Sequence, residues 1–159
     1  MCCFQEVYEG ALKVYAMKLH PGMEIKSALI EFVKANNISS AFIITCCGSV
    51  RKCQIRYATC DGVEKGKDFN AVKVKISEIL CRNFEITSLV GTLCKDGAHL
   101  HVTLGDNEGN TISGHVIGSL FVQTTAEIVL GTACGINFSR QYDESTGFNE
   151  LVVSKSPET

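Results

Sequence analysis

Apolar and polar positions recur with two periods along this chain, and the changes of period mark where its elements begin and end. Residues 11–20 (ALKVYAMKLH) alternate as a strand, with Leu12, Val14 and Ala16, joined by Lys18, on one face. Pro21-Gly22 breaks that strand. From Met23 to about Asn36 the spacing becomes helical, because Ile25, Ala28, Leu29, Phe32 and Val33 fall on one stripe. Glu24, Lys26, Glu31 and Lys34 form the solvated side of this helix, and Asn36-Asn37 tolerate the left-handed backbone that ends one.

Beyond the helix the pattern is that of strands. SSAFIITCCGSV is nearly continuous in apolar residues, as expected of a strand covered on both faces. Gly48-Ser49 reads as a bend or bulge before CQIRYATC, the second strand of a hairpin-like pair. Residues 61–67 read as loop. Ala71–Ile79 alternates as a half-buried strand with Lys73 and Lys75 on its wet side, and Phe84–Cys94 forms the next strand. Thr124–Leu130 fits either a strand or a short helix, while Ile136–Tyr142 and Asn149–Ser154 read as edge strands around a DESTG turn. One helix among many strands predicts an α+β fold or a helix-capped β-sandwich. The sheet is expected to be mainly antiparallel with a flanking helix, in one compact domain over residues 1–159. So many strands leave open edges, which self-association would cover.

Composition narrows the function classes. The 159 residues are 45% hydrophobic and 20% charged, with a net charge of −2, and the Lys/Arg residues are scattered. That distribution lacks the basic footprint of a nucleic-acid surface. No apolar run has membrane-spanning length, and MCCFQEVYEG lacks the make-up of a secretion leader. Nine cysteines, an odd number with no C-x-x-C spacing, argue against a disulfide framework and point to the reducing cytoplasm or the nucleus. Most lie in apolar runs, where a thiol packs as a small hydrophobe. Cys46 and Cys47 are adjacent, so they cannot face one side of a strand together.

The candidate chemistry gathers between Gly97 and His115, GAHLHVTLGDNEGNTISGH, which holds three of the four histidines. His99 and His101 alternate onto one face of a strand. Asn107, Glu108 and Gly109 fit best as a three-residue loop, a type I turn closed by a left-handed glycine. Asp106 then pairs with Asn110, and His101 falls directly opposite His115, with His99 its diagonal neighbour. Opposed Cβ atoms lie about 5 Å apart and diagonal ones about 7–8 Å, so three imidazoles would converge on one metal ion. A loop of two or four residues would turn His115 to the other face. Gly97 and Gly114 would leave room for a ligand or for close backbone approach.

These segments carry a family resemblance. LHPGMEIKSALIEFVKANNISSAFI, CGSVRKCQIRYA, FEITSLVGTL, GAHLHVTLGDNEGNTISGHVIG and TTAEIVL resemble, in that order and spacing over about residues 10–155, the PPC (plants and prokaryotes conserved) family. The resemblance implies an α/β or α+β subunit assembled as a homotrimer. It also implies a divalent metal, zinc by analogy, held by His99, His101 and His115. Plant members join this domain to an AT-hook that enters DNA, and their RFEI motif contacts protein partners. Here that motif reads Arg82-Asn83-Phe84-Glu85-Ile86, so Arg82, Phe84 and Glu85 are the interaction candidates and Asn83 interrupts the match. No Arg-Gly-Arg-Pro-like segment occurs in these residues, so any contact with DNA is expected to be weak or to run through a partner.

Three functions follow. The first is a metal-binding trimeric module for interaction, assembly or regulation. The second is a metal-dependent enzyme on a small molecule, in which a carboxylate serves as general acid or base. Glu127 and Glu85 are the catalytic candidates, and Asp106 is set aside because it belongs to the turn. The third is a DNA-associated regulator. A cupin-type ligand set, which also opens with H-x-H, fails because Gly105 and Asp106 stand where it needs a glutamate.

Overall fold

The computed structural model describes residues 7–59, 73–79 and 82–156, with side chains described for all of them except 58–59 and 73–79. Two elements dictate the architecture, β2 (Ala41–Thr59) and β6 (Thr111–Cys134), both much longer than an average strand. They pair with each other antiparallel from Phe42↔Gly131 to Arg56↔His115. Around them run β1 (Ala11–Leu19), β3 (Lys73–Ile79), β4 (Phe84–Cys94) and β5 (Gly97–Gly105), in the sheet order β1-β6-β5-β4-β2-β3. Because β2 also touches β6, the sequence β6-β5-β4-β2 closes on itself. Its interior is apolar, with Val50, Ile55, Leu93, Leu100, Leu104 and Leu120 fully buried.

The helix α1 (Ile25–Ala35) lies against β6, β4 and β5 and buries Ile25, Leu29 and Val33. Asn37 takes the left-handed backbone expected after it, at φ 52°. Its polar side does more than meet solvent. Glu24 accepts hydrogen bonds from the amides of Lys26 and Ser27, capping the helix, and from that of Leu120 on β6. Lys26 donates to the carbonyls of Val116 and Ile117 at 3.3 and 2.8 Å. These bonds hold β6 where it leaves β5 and turns toward β2. The fold is thus mostly antiparallel sheet with one short helix, richer in strand than a balanced α+β protein.

Two expectations change, and two open choices are settled. First, β1 turns its Leu12, Val14, Ala16 and Lys18 face outward, with Leu12 62% exposed. Tyr15, Met17 and Leu19 face the core instead, because the register pairs them with Leu130, Ile128 and Ala126, the buried side of β6. Both faces of β1 are apolar, so its own pattern does not choose between them. Second, residues 41–50 and 53–59 belong to one strand, β2, and not to a hairpin. Gly48 pairs with both Ile86 and Ala126, and the register shifts beside it mark a bulge. Third, β2 is covered on one side only, since Cys46 is buried while Ile44 and Cys47 are exposed. Fourth, Thr124–Leu130 is strand, the second half of β6.

Of the five described cysteines, Cys46, Cys53 and Cys94 are buried as small hydrophobes, whereas Cys47 and Cys134 are exposed; all five are free. The loop over 61–67, the side chains of Lys73 and Lys75, and Cys2, Cys3, Cys60 and Cys81 lie outside the residues described. The last two strands, β7 (Ile136–Asp143) and β8 (Phe148–Lys155), form a separate antiparallel ribbon around the expected turn. It docks through Phe138, whose amide donates to the Ser39 carbonyl, and through Arg140, which reaches Thr92 on β4. Among the described residues no helix is long and apolar enough to cross a membrane.

Candidate metal centre

The turn between β5 and β6 sets the site. Asp106 accepts from the amides of Glu108 and Asn110, each at 2.9 Å, and its backbone amide donates to the Asn110 carbonyl. Gly109 sits at φ +84°, the left-handed position that closes a three-residue loop. The pairs Gly105↔Thr111, Thr103↔Ser113 and His101↔His115 follow from that closure. On the flanking strands Val90 lies opposite His101, Thr92 opposite His99 and Arg56 opposite His115. One outward row across four strands therefore reads Val90, His101, His115, Arg56.

The three rings meet. Their centroids are separated by 5.1 Å (His99–His101), 4.8 Å (His99–His115) and 5.4 Å (His101–His115). One ligating nitrogen from each lies within 4.8 Å of the others, and the Nε2 atoms of His99 and His101 are 3.0 Å apart. Two imidazole lone pairs at that distance repel unless a proton or a cation stands between them. A tetrahedral ion with zinc–nitrogen bonds of about 2.0–2.1 Å would separate its ligating nitrogens by about 3.3 Å. The donor set fits such an ion after small ring rotations.

The electrostatics favour the neutral ring that a metal requires. Burial pushes the His115 imidazole down from 6.5 to about 4, and Arg56, His99 and His101 add to the effect. His99 is lowered as well, first by burial, then by His101 and Arg140, with Glu150 opposing.

The rings open onto a cleft of about 580 Å³ between the histidine hairpin, the end of β2 and the β7–β8 ribbon. Arg56, Arg140, Phe148 and Glu150 line it alongside the histidines, and none of these four was singled out by sequence. The Arg56 guanidinium carbon lies 4.8 Å from the Phe148 ring centroid. Arg140 donates through Nη2 to the Thr92 hydroxyl at 2.5 Å and the Thr92 carbonyl at 3.4 Å. A signal existed only for Arg56, which breaks the apolar run of β2.

The carboxylates chosen from sequence lie elsewhere. Glu127 is twelve residues further along β6, exposed between Lys18 and Cys47. Glu85 faces solvent near the start of β4, opposite Ser49 and Gly105. Neither lines the cleft; Glu150 and Asp96 do. The difference arises because β6 and β4 run away from the hairpin, while the ribbon folds back over it. Of the interaction candidates, Phe84 is only 5% exposed and belongs to the core, which leaves Arg82 and Glu85 at the surface. Arg82 sits 4.0 Å from the Asp106 carboxylate. Gly114 meets the Arg56 carbonyl closely, as one of its two expected uses required, whereas Gly97 faces open space.

With this geometry in place, the family profile of the Plants and Prokaryotes Conserved (PCC) domain matches residues 6–133. The chain belongs to that family. Among solved structures the PCC domain described here resembles a hypothetical protein from Salmonella enterica. That likeness has a TM-score of 0.78 at 32% identity and covers 93% of this chain and 97% of the other. It also resembles a metal-containing protein from Archaeoglobus fulgidus, at TM-score 0.75 and 25% identity over 93% of this chain and 99% of that one. Among curated proteins it is 34% identical over 154 residues to the bifunctional protein GlmU of Synechococcus sp. (strain JA-3-3Ab). That match covers 97% of this chain, yet the chain spans only 22% of the length of that relative.

Proposed function

We propose that this PCC domain is a metal-binding module, assembled as a homotrimer, that holds one zinc-like divalent ion on His99, His101 and His115. The observation that carries the proposal is the convergence of the three imidazoles, with ligating nitrogens within 4.8 Å of one another. The metal-containing relative from Archaeoglobus fulgidus supports it. So does the GlmU match, in which a segment of this size accompanies a much longer chain, as an interaction or assembly module would. The trimer draws support from apolar side chains left outward on the sheet, Leu12, Val14, Ile44 and Val90, each at least 47% exposed.

The test is His101→Ala. Stoichiometric zinc is lost while the trimer stays folded, as read by metal analysis beside light scattering. Full metal content in the variant refutes the site.

A second reading, a metal-dependent enzyme, is favoured by one feature. Three protein ligands would leave a zinc ion an open position, and the three histidines line a cleft that also contains Glu150. An ion held there would supply Lewis acidity, and Glu150, in place of Glu127 and Glu85, is the carboxylate positioned in the cleft to exchange a proton. DNA association has no support in the charge of the chain, which is −2 overall. A salt-dependent titration that finds no affinity at low ionic strength removes it.

A further inference from the structure

We propose that the cleft beside the histidines is a receptor for a small oxyanion, a carboxylate- or phosphate-bearing molecule gripped by the guanidinium groups of Arg56 and Arg140. The inference rests on the metal reading for one contact, the ion itself, and on the two arginines for the others.

The arginines arrive from different elements and bracket the triad. Arg56 comes from β2, opposite His115, and Arg140 from β7, bonded to the residue opposite His99. Each is close enough to act on a ring: Arg56 on His115 and Arg140 on His99. Both are committed on one side only. Arg56 rests against Phe148, a cation–π contact that engages none of its N–H donors in a hydrogen bond. Arg140 is anchored to Thr92 through Nη2, while its Nε is buried with no acceptor. A buried charged donor without an acceptor is costly, and the cleft that Arg140 lines is where the rest of its guanidinium can meet a ligand.

Among the described residues no carboxylate lies within ion-pair distance of either guanidinium, although Asp96 and Glu150 share the cleft. Among the described residues two cations and two anions thus line it unpaired, and a divalent ion on the histidines would make the balance positive. Planar guanidiniums with parallel donors match the paired oxygens of a carboxylate or phosphate. The volume, about 580 Å³, exceeds what a bare anion needs and lies in the range of metabolite-sized sites. Phe148 and Tyr57 offer ring surface to the carbon part of such a ligand.

The experiment titrates the full chain calorimetrically with malonate, inorganic phosphate and the neutral isostere malonamide, in zinc-loaded and in chelator-treated form. At least one anion binds the zinc-loaded wild type, malonamide does not, and the tighter anion identifies the ligand class. Arg56→Gln and Arg140→Gln each weaken binding by about tenfold or more, as loss of a charge-assisted bond requires, with zinc per chain unchanged. Arg140→Lys keeps the charge and the fold and still binds more weakly, because it lacks the fork. Failure of both anions to bind, or a double glutamine variant that binds like wild type, overturns the proposal. Arginine-dependent binding in a protein that takes up no zinc sinks the metal reading alone. Stoichiometric zinc with arginine-independent binding sinks this one alone.

Discussion

Gly91 on β4 faces the backbone of His99 so closely that a Cβ at position 91 would collide with the His99 carbonyl and with Leu100. Its φ of +142° is also one that side chains avoid. The glycine lets β4 and β5 approach at the point where the first histidine must be aimed. Gly91→Ala is therefore expected to cost about 2 kcal/mol, within the range for such backbone strain. In a domain of this size that lowers the melting temperature by about 4–8 °C. Zinc affinity falls with it, as a competition titration against a chromophoric chelator would read.

Asp106 holds the loop by accepting from the Asn110 side-chain amide and from the backbone amides of Glu108 and Asn110, and those bonds keep its carboxyl below the usual carboxylate range. Asp106→Ala frees the turn and lets the register of His101 and His115 slip. Faster amide exchange across Thr103–Ser113 is expected, together with weaker zinc binding, and unchanged exchange there would count against this role.

The pH dependence follows from His115. Its folded value, about 4, lies below the 6.5 of the free side chain. The unfolded chain therefore binds more protons through that window. Stability is fully present above about 6.5 and declines as pH falls toward 4. In chelator-treated protein the melting temperature should drop over this interval, and His115→Gln should flatten the profile.

Lys26 is partly buried, which lowers its pKa, and it satisfies the Val116 and Ile117 carbonyls immediately after His115. Lys26→Met leaves both without their donor. A loss of about 1–3 kcal/mol is expected, the penalty for unsatisfied polar groups, with affinity for the proposed metal reduced although none of the three histidines has changed. Chemical denaturation and metal titration of the same variant read the two effects.

Val14 pairs with Gly131, and Phe42 and Ile44 cover that glycine from β2, so these apolar groups share one outward patch. If the proposed trimer uses it, Val14→Glu with Ile44→Glu shifts the mass in light scattering to that of single chains. The circular dichroism spectrum stays that of a β-rich fold.

How much was legible in the residues varies with the range of the interaction. The register of the histidine hairpin was readable because Asp106 to Asn110 carry their own turn chemistry, and a turn sets every pairing behind it. The helix was readable because its apolar stripe spans several turns. The outward face of β1 was not, since Leu12 and Val14 are as apolar as Tyr15 and Met17. Only pairing with β6 decides between the two sets. Gly48 looked like the end of a strand because a glycine weakens local pairing. Partners on both sides carry β2 through it.

What the sequence determined by itself is thus the triad, since His99, His101 and His115 belong to one ribbon whose geometry is local. What the tertiary structure alone decided is their surroundings: Arg56, Arg140, Phe148 and Glu150 come from three other strands. The placement of Glu127 and Glu85 away from the cleft was decided at the same level. Pattern and turn chemistry act over a few residues, whereas the meeting of distant strands depends on how the whole sheet closes and buries its apolar side.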